Sequence, residues 1–323
     1  MRVGLLAVFG LLGLVLGVVP VRGAPPPSSQ PASRSYPIKL HRPAKAGERY
    51  SIKLHWTWSE ADPVTSPGGR KEPRTELMTQ TVDLSATAQT LAVDGRGFAT
   101  RTKFVLTSGG SVGLADGTTQ RLDARETLIA AWNGKKLEVT CGERALSREV
   151  AAVLGRALPG KKAVGTPTAD DVYGTTKRQR VGWEWDVNRR GAVASFRRLG
   201  IEIPERELEG EGRLLAVEKV NGEPCVKVGA TFRADGFATL PLAHVTLPAG
   251  LSLADGSFHA AVTVTCPVSA NKRVAARTET ARIAMTLEGL VRREPTKVVR
   301  VVRETRQVHV GDVAVEGVAG VKD

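Results

Sequence analysis

Apolar and polar residues alternate with a period of two along most of this chain. In Arg49–Ser59, RYSIKLHWTWS, the large residues Tyr50, Ile52, Leu54, Trp56 and Trp58 are separated by small, polar or basic ones. Successive side chains of a strand point to opposite faces, so this run predicts a strand with one apolar face. The same pattern predicts strands near 77–93, 97–107, 126–132, 135–141, 180–187, 211–220, 224–233, 257–266, 273–288 and 296–310. In the first of these, Val82, Leu84, Ala86 and Ala88 share one parity while Leu91 and Val93 take the other, so a bulge is expected near Thr90. Turn dipeptides punctuate the runs at Asp94-Gly95, Asp116-Gly117, Asn133-Gly134, Asn221-Gly222, Asp235-Gly236 and Asp255-Gly256. Asn-Gly and Asp-Gly tolerate the positive φ of tight hairpins, which points to an antiparallel meander.

Helical spacing is clear once. Ser147 can cap REVAAVLGRAL, in which Val150, Val153, Leu154 and Leu158 fall on one face, and Pro159-Gly160 ends it. A second short helix fits ASFRRLG, and a Gly/Thr/Lys-rich connector runs between the two, from Pro159 to about Arg178. The expected fold is α+β and predominantly antiparallel β: strongly curved sheets or a half-barrel, with one or two helices on the concave side. The pattern divides the chain into an N-terminal β-rich half (36–145), a helix and connector region (146–204), a C-terminal β-rich half (205–310) and a tail (311–323).

The chain begins differently. Arg2 precedes an uncharged apolar run, Val3–Val21, and Val21-Arg22-Gly23 offers small residues at a cleavage site before Ala24. This predicts a secretory signal peptide over 1–23, cleaved near Gly23-Ala24, with an uncleaved anchor as the alternative. The Pro/Ser-rich stretch that follows, 24–35, reads as an extended tether. The expected location is the periplasm, the cell surface or the exterior.

Charge narrows the partners. The formal net charge is +13, and loss of 1–23 removes Arg2 and Arg22 and no acid, leaving +11. A basic exported protein is expected to meet an anionic envelope polymer or membrane surface. Its basic residues alternate along strands, as in RVAARTETARIAM, the usual look of a solvated sheet face, and no stretch has the aromatic and basic interleaving of an RNA-binding sheet, so no nucleic-acid partner is expected. Three cysteines form an odd set. Cys141 and Cys266 share parity with apolar neighbours and are the candidate disulfide, against the alternative of buried thiols; Cys225 shares parity with Lys227 and Thr231.

Four of the five tryptophans fall in two ribbons, Trp56-Thr57-Trp58 and Trp183-Glu184-Trp185, the second on a row with Val181 and Val187. Three roles are open to them: filling a core, walling an apolar cavity, or standing as a sugar-stacking platform. The cavity would be lined by Tyr50, Ile52, Leu54, Trp56, Trp58, Trp183 and Trp185, with Val150 and Leu154 as the helix side, and would take a lipid-like or apolar small molecule. No nucleophile elbow, zinc helix, phosphate loop or dinucleotide fingerprint is present, so no catalytic residue, metal or cofactor is assigned. His55 shares the polar face of its strand with Lys53, Asp170-Asp171 reads as a helix cap or turn, and EIPERELEGEG as a solvated connector. Adjacent His and carboxylate side chains in a cleft would favour an enzyme.

Gly47-Glu48-Arg49-Tyr50 at the start of the first strand, VGWEWDV at Val181–Val187 and EGEGRLLAVEKVNGEPCVKV at Glu209–Val228 resemble an uncharacterised family of secreted β-rich bacterial proteins, prominent in planctomycete-like bacteria. The central motif there usually reads Val-Gly-Asp-x-Trp, whereas Trp183 follows Gly182 here. The resemblance spans roughly 45–290 and implies an exported β-rich domain with no known activity. In outline the architecture is also similar to periplasmic lipoprotein-carrier half-barrels. The leading expectation is therefore an exported, noncatalytic protein binding an apolar or amphipathic, lipid-like ligand. The alternatives are an envelope protein whose basic face binds anionic polymer, and a hydrolase whose site is dispersed in sequence.

Overall fold

The computed structural model describes residues 34–61, 64–65, 77–160, 165, 167–198, 202–236, 250–291 and 294–311. The expected signal peptide, all but the end of the tether, and the tail beyond Gly311 lie outside the described residues.

The strands expected from alternation form, except that the run at 180–187 is strand only over Glu184–Asp186. In chain order they are β1 (Arg49–Ala61), β2 (Val64–Thr65), β3 (Leu77–Val93), β4 (Ala99–Gly113), β5 (Thr119–Leu122), β6 (Thr127–Trp132), β7 (Leu137–Cys141), β8 (Glu184–Asp186), β9 (Glu209–Val220), β10 (Glu223–Asp235), β11 (Leu251–Pro267), β12 (Ala276–Val291) and β13 (Glu294–Gly311). All pairings are antiparallel within one sheet, whose main path runs β7-β6-β4-β3-β1-β13-β12-β11-β10-β9-β8; β2 adds to β13 and β5 to β4. The path is open, with β7 and β8 at its two ends. The first and last long strands meet at its centre, where Ile52 lies opposite Val310 and Trp56 opposite Arg306.

Turn chemistry acts locally as expected between β3 and β4, β4 and β5, β6 and β7, and β9 and β10, while the chain that follows Asp235-Gly236 lies outside the described residues up to 249. Asn221 and Gly222 both take positive φ, +50° and +79°, and close the β9–β10 hairpin. The bulge near Thr90 is present as a register shift between Thr90 and Ala92. Asp255-Gly256 is not a turn: it lies inside β11, beside a register shift between Leu253 and Asp255, so the glycine there marks a bulge.

Among the described residues three α-helices form, against the one or two expected. α1 (Arg148–Ala157) is capped by Ser147, whose hydroxyl accepts from the Val150 amide, and it buries Val150, Val153, Leu154 and Ala157. α3 (Arg189–Arg198) begins before the expected short helix. Between them, α2 (Ala169–Tyr173) was not anticipated. Thr168 and Asp171 form a reciprocal capping box around its first turn, which is the cap role expected of Asp170-Asp171.

Residues directly opposite in paired strands share a face, and the register carries one apolar face across the whole sheet. It runs from Val139 and Leu128 through Phe104, Ala88 and Tyr50 on one side to Ile283, Phe258 and Ala234 on the other. Two buried clusters sit on it. One joins β1, β3, β4, β6 and β7 to α1; the other joins β9–β13 to α2, α3 and the segment holding Ile38 and Leu40. Trp58 packs against both.

Candidate functional site

The expected ligand-lining residues divide into three environments. Tyr50, Ile52, Leu54 and Trp56 are buried, and they share one cluster with Val150 and Leu154. Trp56 and Leu154 are 1% and 0% exposed, so this part of the row is fully taken up by packing beneath α1. Trp185 belongs to the other cluster, six strands from β1. Its indole covers Gly212, where an added Cβ would come within 2.4 Å of the ring nitrogen, and donates to the Tyr173 carbonyl at 3.0 Å. Trp183 is 50% exposed, beneath the Arg180 guanidinium at 4.9 Å. The alternation fails there because Gly182, at φ +88°, turns the chain and leaves an edge strand of only three residues. The two tryptophan ribbons therefore do not wall one cavity.

The candidate disulfide is also corrected. Cys141, Cys225 and Cys266 are all free thiols. β7 and β11 are seven strand positions apart on the sheet path, and Cys141 packs against the α1 cluster whereas Cys266 belongs to the other. Cys225, expected on the polar side, is 1% exposed.

Between the two clusters the apolar face carries a partly buried ionic seam on β12, β13 and β1. Arg306 meets Glu279 at 3.3 Å and Glu304 at 3.1 Å, and donates to the carbonyl of Arg156 in the last turn of α1 at 2.6 Å. Arg277 donates to the same Glu279 at 2.8 Å. Burial by itself lowers the Arg277 guanidinium, but Glu279 and Tyr173 outweigh it and hold the group above its ordinary range. Arg156 lies over both Trp56 and Trp58, at 5.7 and 5.6 Å, and burial lowers it. Further along, Arg300 meets Glu60 at 3.1 Å, with both side chains nearly buried. Arg306, Arg300 and Glu60 are nearly buried, whereas Arg277, Glu279 and Glu304 keep part of their surface exposed; these groups are occupied with one another.

Among the described residues no helix packs over the opposite face, though Arg189 at the start of α3 lines the larger of the two clefts that open on it. The larger, about 760 Å³, crosses β8–β13. Register places Arg233, His259, Arg282 and Arg303 side by side in one cross-strand row on four neighbouring strands. Asp235 pairs with Arg233 at 2.5 Å and lies 3.8 Å from His259. Among the described residues, Arg282 and Arg303 meet no carboxylate, and both are exposed. The next row, Thr231, Ala261, Thr280, Thr305, Thr57 and Thr81, is almost all hydroxyl. Asp186, Glu209 and Glu211 gather with Arg189 at the β8–β9 end, and the cleft is basic toward its middle.

The smaller cleft, about 500 Å³, lies over β1, β3, β4 and β13. Lys53, His55, Asp83, Ser111, Arg121, Gln307 and His309 line it. His55 Nδ1 is 2.5 Å from Asp83 and its Nε2 is 3.3 Å from the Thr57 hydroxyl. With the proton on Nδ1, the ring donates to Asp83 and accepts from Thr57. Both His55 and Asp83 are about half exposed, at 47% and 54%.

The row at Arg282 and Arg303 was visible in sequence only as alternating basic residues. Nothing along the chain showed that these particular strands are neighbours. Among the described residues, no three potential metal ligands converge and no helix is long and apolar enough to cross a membrane.

The chain matches no protein-family model and no curated protein sequence. Among solved structures it is similar to lipovitellin, with 7% identity over 86% of this chain and a TM-score of 0.34. The chain spans 27% of lipovitellin's length. It is also similar to a mutant of Rh. blastica porin (10% identity, 79% of this chain and 99% of the porin, TM-score 0.17). The outer membrane protein OprG from Pseudomonas aeruginosa gives 9% identity over 84% of this chain and 98% of OprG, with a TM-score of 0.16. At these TM-scores the likeness carries no functional argument.

Proposed function

We propose that this is an exported, noncatalytic binding protein whose helix-free sheet face holds an anionic polymer of the cell envelope. The supporting observation is the pair Arg282 and Arg303: adjacent, exposed guanidiniums without an acidic partner among the described residues, set in a cleft beside a row of hydroxyls. Guanidinium forks suit carboxylate and phosphate oxygens, and neighbouring hydroxyls add hydrogen bonds. A lipid-like ligand fits this face poorly, because its paired rows carry few large apolar side chains. The test is retention on immobilised polygalacturonate as salt is raised. Binding falls steeply toward about 0.15 M ionic strength and is weakened by Arg282→Ala/Arg303→Ala. Salt-independent retention, or a double variant that binds as the wild type does, overturns the proposal.

A second function is favoured by the Asp83–His55–Thr57 chain, which has the order of a carboxylate, base and hydroxyl relay. It would make the protein a hydrolase. Thr57 lies in a strand paired on both sides, with its amide inside the ladder rather than at an open turn. Hydrolysis of a p-nitrophenyl ester that is lost in His55→Ala would establish this activity, and equal rates in the two proteins would remove it.

A further inference from the structure

The two clefts share one face and one strand. Arg303 and Thr305 of β13 line the larger, and Gln307 and His309 of the same strand line the smaller. Alternation puts all four on the helix-free face, and six residues of strand separate Arg303 from His309, about 20 Å. Between the charged ends, the neighbouring positions on β12, β13 and β1 are Thr280, Thr305 and Thr57; Asp83, on β3 opposite His55, borders this stretch and is hydrogen-bonded to that imidazole. At the far end Lys53 stands opposite His309, and Arg121 lines the cleft on β5.

Resting on the function proposed above, we infer that the two clefts are subsites of one track along β13, and that the ligand is an acidic polysaccharide long enough to occupy both. A small anion meets the cations of one cleft only; a chain carrying a carboxylate on successive sugars meets Arg282 and Arg303 at one end and Lys53 and Arg121 at the other. The threonine rows between them supply donors and acceptors for sugar hydroxyls. The paired rows of this face carry no Phe, Tyr or Trp among the described residues, so nucleobases find nothing to stack on.

Occupying two linked subsites turns the second contact into an intramolecular one, which raises affinity without a new kind of interaction. The experiment is titration of the full chain by calorimetry with oligogalacturonides from dimer to dodecamer. Two double variants are compared, Lys53→Ala/Arg121→Ala and Arg282→Ala/Arg303→Ala, all at exposed positions, with folding checked by circular dichroism. The wild type should bind the long oligomers at least about tenfold more tightly than the dimer. Lys53→Ala/Arg121→Ala should keep dimer binding and lose that gain. A wild type without length dependence, or a Lys53/Arg121 variant that retains it, overturns the track. If at the same time Arg282→Ala/Arg303→Ala abolishes binding, the function stands with a single subsite. If the wild type binds no oligomer, both proposals fall.

Discussion

The indole N–H of Trp56 donates to Glu304 at 2.9 Å, across the junction of β1 and β13. That hydrogen bond lets the largest fully buried side chain of the protein lie beside the ionic seam without an orphaned donor. Trp56 is therefore a core residue. Trp56→Ala should cost about 3–5 kcal/mol of stability, measured by urea unfolding, while leaving polygalacturonate binding of the folded fraction unchanged. A folded variant of wild-type stability would show that the indole is not core packing.

Arg306 satisfies two carboxylates and a helix carbonyl at once. Replacing it alone by Leu leaves Glu279 with Arg277 as its guanidinium partner, removes the donor to the Arg156 carbonyl at the end of α1, and should lower stability by about 1–3 kcal/mol. Arg306→Leu/Glu279→Leu should cost less than the sum of the two single changes, because the two side chains are in direct contact and each single change removes the same ion pair. Additive losses in the double-mutant cycle would show that the seam is not coupled.

Burial pushes the Cys266 thiol up to about 12, with Arg42 and Arg277 opposing it only in part. Burial likewise raises the Tyr173 phenol to about 12. Both groups stay protonated in the folded chain at pH values where the unfolded chain has released their protons. The unfolded state then binds fewer protons, so stability falls as pH rises: from the ordinary thiol value of 9.0 for Cys266 and from the ordinary phenol value of 10.0 for Tyr173, up to about 12. Each group contributes a slope of about 1.4 kcal/mol per pH unit within its window. Denaturant midpoints at several alkaline pH values measure it, and Cys266→Ala should flatten the curve between the thiol and phenol onsets.

Gly212 lies under the Trp185 ring, with no space for a methyl group. Gly212→Ala should displace the indole and its hydrogen bond to the Tyr173 carbonyl, red-shifting tryptophan emission and lowering the melting temperature. An unchanged spectrum would mean that the ring is not seated on the glycine.

Strand positions, the Thr90 bulge, the Ser147 cap and the antiparallel class were legible because each depends on neighbours in sequence. Alternation gave the apolar parity of Tyr50–Trp56, and that side is indeed buried. What lay beyond reach was adjacency. Nothing along the chain announces that β1 pairs with β13, and both the binding row and the ionic seam depend on that pairing and its neighbours. Trp183 was misplaced because alternation was followed across Gly182, where one positive φ ends it. α2 did carry a signal: Thr168 and Asp171 at capping-box spacing, in a segment too short for helical periodicity to register.

Because β1 and β13 are neighbours, about 250 residues of chain must be made before the centre of the sheet can close. Until then β1 and β12 each present a long unpaired edge, and such non-local closure is intrinsically slow. The final strand acts as a keystone. A chain that stops short of it would have two half-arches with nothing between them, a state suited to capture by a chaperone rather than to function.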